Sequence, residues 1–140
     1  MRPDLQCPSA QPHLHEATIH GVVDSASGRI VHLDHPVPVT DALLNATSPL
    51  LPTELLRFAA PCQRESCGHF TRNHCSLVER LVQIMPAVSL TPPACSIRAN
   101  CRWFAERGRP ACLRCDGILT DDAFRDETIA ALATPQMRDA

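Results

Sequence analysis

The chain has 140 residues, a formal net charge of −2 at pH 7, four phenylalanines, one tryptophan, no tyrosine and thirteen prolines. That is the length of one domain with little large apolar material for a core, so a further cross-link is expected to help hold it together. All thirteen basic residues are arginine, which excludes a Schiff-base lysine, a P-loop lysine and a kinase-type lysine.

Residues 1–16 carry prolines and histidines without periodicity and read as a mobile tail that includes Cys7. Residues 17–23 (ATIHGVV) and 29–33 (RIVHL) are β-rich runs around a polar loop ending in Gly28, the pattern of a β-hairpin. His35-Pro36-Val37-Pro38-Val39 can add no more than an edge strand, because proline has no amide hydrogen for a sheet ladder. Thr40-Asp41 is a capping signal for a short helix to Asn45, and Pro52-Thr53-Glu54 is a start signal for a second, running to about Ala60 with Leu55, Leu56 and Phe58 inward. From Cys75 to Met85, Leu77, Val78, Leu81, Val82 and Met85 form the stripe of an amphipathic helix that Pro86 ends. Cys101 to Arg107 reads as a short helix stopped by Gly108, and Asp121-Asp122 opens a final helix over 121–134 with Phe124, Ile129 and Leu132 inward.

Seven of the eight cysteines lie between residues 62 and 115. Cys95 and Cys101 form C-x5-C and Cys112 and Cys115 form C-x2-C; thiolates gathered by turns of this length can share a metal or a cluster. These four are the expected principal ligands, the C-x2-C pair returning on a tight loop, with Cys62, Cys67 and Cys75 as a second group closing over them or making a separate site. A histidine, His69 or His74, would give eight ligands, enough for two tetrahedral zinc ions. The intervals are irregular, however, and an iron–sulfur cluster accepts cysteines from scattered loops, so the cluster is the leading expectation and zinc the alternative. His20, His32 and His35 could make at most an incidental site.

Between residues 95 and 115 five arginines face one carboxylate, Glu106, a local formal charge of +4. Guanidinium groups suit an anionic thiolate centre, and Trp103 and Phe104 could shield it from water. The same arginines raise the possibility of a zinc-stabilised nucleic-acid module, against which the overall negative charge weighs. No paired-carboxylate, G-x-S-x-G or H-E-x-x-H motif marks an enzyme, and the C-x2-C pair lacks the βαβ context of a thiol oxidoreductase.

The chain is therefore read as α+β: a small cysteine-rich metal-binding domain, an N-terminal β-hairpin followed by a mostly helical C-terminal half. Residues 17–61 would carry the hairpin and short helices, and 62–120 the metal-binding segment. The expected role is electron transfer, redox sensing or service to a larger redox enzyme as protein partner. With no apolar leader run and no membrane-length apolar stretch, a cytoplasmic, thiol-reducing location is expected.

Overall fold

The computed structural model describes residues 5–118, so the helix expected over 121–134 lies outside the described residues. Four strands, β1 (Gln6–Ala10), β2 (Thr18–Val23), β3 (Ile30–Pro38) and β4 (Leu56–Pro61), form one antiparallel sheet in the order β1-β4-β2-β3. Helices α1 (Asp41–Ala46) and α2 (Pro52–Leu55) connect β3 to β4. A two-stranded ribbon, β5 (Phe70–Thr71) and β6 (His74–Cys75), then leads into α3 (Ser76–Ile84), α4 (Arg102–Arg107) and α5 (Arg109–Cys115).

Local signals explain several of these elements. The β2–β3 turn is closed by Asp24, whose carboxylate accepts from Ser27 Oγ at 2.8 Å, and by Gly28 at φ 72°. Thr40 caps α1 by accepting from the Leu43 amide at 3.2 Å. Gly108, at φ 66°, ends α4, and Pro110 at the start of α5 needs no amide hydrogen there.

Three expectations are corrected. The expected fold, a small cysteine-rich metal-binding domain with an N-terminal β-hairpin and a mostly helical C-terminal half, gives way to a four-stranded antiparallel sheet followed by helices, with one hydrophobic cluster on the sheet and another among the helices. Among the described residues no group of three or more His, Cys, Asp or Glu is arranged to hold a metal ion. The helix expected over 52–60 stops after one turn at Leu55, and Leu56–Pro61 become an inner strand. Tertiary pairing overrides the helix-start signal here: β4 hydrogen-bonds to β1 on one side and to β2 on the other, and buries Phe58, Ala59 and Ala60 completely. Part of the segment read as a tail is the other partner, since Gln6–Ala10 form an edge strand that tolerates Pro8.

The sheet separates two cores. Ala10, Ile19, Phe58 and Ala60 pack together on one face with Leu44 and Leu33 against them. Trp103, Val78, Leu81, Ala111 and Ile118 join α3, α4 and α5 in a second cluster. Between them the β2 strand shifts register around His20, and Gly21 sits where its missing side chain matters. A Cβ there would stand 2.5 Å from Ile30 Cγ2 and 3.3 Å from Arg57 Cβ. Gly21→Ala is expected to cost ~1–3 kcal/mol by overpacking, measured by urea unfolding. An unchanged midpoint would mean that β3 yields there freely.

Candidate functional site

Cys95, Cys101, Cys112 and Cys115 line one hollow between the sheet and the helices, with Pro8, His20, His32 and Trp103 among the other wall residues. Each cysteine arrives by a local device. A 3-10 turn, Arg98–Asn100, folds the chain between Cys95 and Cys101, and Cys101 is the first residue before α4. Cys112 and Cys115 lie on α5 rather than on the tight loop expected; three residues apart, they share a helix face.

The sheet side of the hollow is organised by Arg57, which is 1% exposed. Its Nε donates to Pro8 O at 2.5 Å, Nη1 to Ile118 O at 2.6 Å and Cys115 O at 3.0 Å, and Nη2 to Cys115 Sγ at 3.3 Å. The guanidinium also lies 5.7 Å from the centre of the Trp103 ring. It thereby ties the C-terminal end of α5 to the central strand and places positive charge against a thiol. Sequence reasoning missed Arg57; the available signal was a single charge inside the apolar run LLRFAAP.

His32, from β3, meets Asp116 just after α5, Nε2 to Oδ1 at 2.5 Å. Burial disfavours its charge, yet the Asp116 carboxylate and the Cys95 thiol beside the ring outweigh that and hold its pKa up at about 9. Its Nδ1 has no aligned hydrogen-bond partner. For Cys95 burial is opposed by His32, the Ile97 amide and Arg98, and the thiol falls below its ordinary range. Cys101 goes the other way, pushed up to about 12 by burial, with the thiols of Cys115 and Cys95 adding to the rise. Cys115 is likewise raised by burial, against the opposing pull of Arg57. Two buried donors, Trp103 Nε1 and Arg98 Nε, lack an acceptor, and both side chains line this hollow.

The remaining candidates lie elsewhere. Cys62 follows β4, Cys67 ends the 3-10 turn Arg64–Ser66, and Cys75 closes β6. None of the eight cysteines forms a disulfide. His69 Nδ1 accepts from Arg80 Nη2 at 3.2 Å, and His74 Nε2 meets Glu79 Oε2 at 2.8 Å. The five arginines of residues 95–115 have partners within the chain: Arg98 the Pro93 carbonyl, Arg102 Glu106 at 2.8 Å, Arg107 Glu79 at 3.7 Å, Arg109 Leu90 O at 3.3 Å, and Arg114 Met85 O at 2.6 Å.

Comparison of the chain with protein-family models, with curated proteins and with solved structures finds no match. No helix among the described residues is long and apolar enough to cross a membrane.

Proposed function

We propose that Cys95, Cys101, Cys112 and Cys115 hold one 4Fe–4S cluster, and that the protein carries electrons, or senses redox state, for a larger redox enzyme in a thiol-reducing cytoplasm. The observation that carries this reading is the convergence of these four thiols on one hollow. Zinc would require its sulfurs within roughly 4 Å of one another around a point, whereas a cubane spreads them about 6–7 Å apart around a cavity. With no group of three ligands drawn in to a single ion among the described residues, the wider centre suits the arrangement better.

The electrostatics support a bound cationic core. Four ionised thiols in a largely apolar hollow repel one another and lose hydration, hence the high positions of Cys101 and Cys115. Iron reverses that balance by deprotonating its thiol ligands. The cluster sulfurs would also offer acceptors to the Trp103 and Arg98 N–H groups, and Arg57 would offset the negative charge. With their guanidiniums engaged inside the chain, the arginines of residues 95–115 give a nucleic-acid role little support.

A second reading draws on the nearness of the Cys95 thiol to His32, whose Nε2 meets Asp116: a thiol, an imidazolium and a carboxylate of the kind that activates a cysteine nucleophile. One experiment separates the two. Anaerobically purified protein should absorb broadly near ~400 nm and contain equal iron and sulfide, and Cys112→Ser should lower iron by about four per chain. A colourless, metal-free protein in which Cys95 alone is rapidly alkylated would instead favour the nucleophile.

A further inference from the structure

We infer that Cys7, Cys62, Cys67 and Cys75 form a second four-thiol centre that binds its own iron–sulfur cluster. Only the kind of metal group rests on the reading of the first hollow; the gathering of the four thiols is independent of it.

Cys7 is the residue that completes the set. It pairs with Ala60 across β1 and β4, and the ladder continues with the Cys62 amide donating to Leu5 O at 2.8 Å. Residues two apart on a strand share a face, so Cys62 lies on the same side of the pair as Ala60 and Cys7 and is the diagonal neighbour of Cys7. The same alternation turns the next residue, Pro8, toward the first hollow. β1 thus turns Cys7 away from the first hollow.

Cys67 and Cys75 come from the ribbon that follows. The Phe70 amide donates to Cys67 O at 3.1 Å, and Phe70 pairs with Cys75 across β5 and β6. The His69 amide donates to Cys67 Sγ at 3.4 Å, a backbone N–H on sulfur such as cluster loops use to stabilise thiolates. The Cys75 amide is held by Glu106 Oε1 at 2.9 Å. The thiols of Cys75, Cys62 and Cys67 all lie within electrostatic range of Cys7.

Helix α4 serves both groups from opposite sides. Trp103 and Phe104 line the first hollow, while Arg102 lies beside Cys62 and Glu106 holds Cys75. Arg102 is 9% exposed, stacks 5.5 Å from the Phe70 ring centre, and keeps a buried Nε without an acceptor. A buried donor left open beside Cys62 is what an anionic centre would satisfy. Eight cysteines then divide into two sets of four, with Cys7 rather than a histidine as the eighth ligand.

The test is iron and sulfide analysis of the anaerobically reconstituted full chain, with Cys7→Ser, Cys67→Ser and Cys112→Ser checked for folding by circular dichroism. Two clusters give about eight iron per chain, and each variant should retain about half. Cys67 lies in a half-buried turn outside the four-stranded sheet, so its variant keeps the test open if Cys7→Ser disturbs β1. A wild-type content near four that both Cys7→Ser and Cys67→Ser retain, and Cys112→Ser loses, overturns the second centre and leaves the first. A content near four that Cys112→Ser retains, and the other two lose, supports the second centre and removes the first.

Discussion

Arg57→Met will lower the stability of the folded chain by about 1–3 kcal/mol. Methionine roughly fills the volume, so the loss is one of hydrogen bonds. The guanidinium serves the carbonyls of Pro8, Cys115 and Ile118; Pro8 O keeps its bond from His20 Nε2 and Cys115 O its bond from the Ile118 amide, so Ile118 O is the acceptor that loses its donor, at a cost of about 1–3 kcal/mol. Replacing a complete buried ion pair by apolar groups can be neutral, but here the partners are backbone oxygens that remain. Urea unfolding measures the change; with the proposed cluster bound, iron content should fall with it because Cys115 Sγ loses its hydrogen bond from Arg57. Wild-type stability in Arg57→Met would show that water or a repacked backbone replaces the guanidinium without loss.

Acidification should destabilise the protein through His20 before most carboxylates protonate. His20 is 1% exposed, and Nε2–H donates to Pro8 O at 2.9 Å while Nδ1 has no partner. Burial first, and the neighbouring Arg57 second, depress its pKa from 6.5 to about 3. The folded value lies below the unfolded one, so the unfolded chain takes up the proton more readily between them. The contribution of His20 is therefore complete above about pH 6.5 and is lost as pH falls from there towards 3, a change of a few kcal/mol. In His20→Asn, unfolding free energy should fall less steeply between pH 6.5 and 4 than in the wild type. Parallel pH profiles for the two proteins would rule His20 out as the acid-sensitive group.

The parts of the fold legible in the sequence are those fixed by neighbours in the chain. The β2–β3 hairpin follows from two β-branched runs around a turn ending in Gly28, α1 from the Thr40 cap, and the end of α4 from Gly108. What was illegible depends on distant partners. Pro-Thr-Glu opens a helix as expected, but only pairing with β1 and β2 decides that Leu56 onward is a strand. The segment Gln6–Ala10 has no alternating pattern, since it is an edge strand interrupted by Pro8 and a register shift. For the same reason the spacing of Cys95, Cys101, Cys112 and Cys115 could be read as one group, whereas the place of Cys7 beside Cys62 depends on a sheet register that no interval encodes.

The lateness of that register bears on how the chain is made. β1 leaves the ribosome first, yet its hydrogen-bonding partner β4 is not synthesised until Pro61, and the bridge from Gln6 to Cys101 waits longer still. Non-local strand pairing of this kind closes slowly, because the intervening loop must be ordered before any contact rewards it. The β2–β3 hairpin can form meanwhile, so the nascent protein passes through a stage in which the Cys7 thiol is uncovered while the other cysteines are still being added. The topology therefore brings the thiol groups together only once Cys115 has been added and α5 can dock.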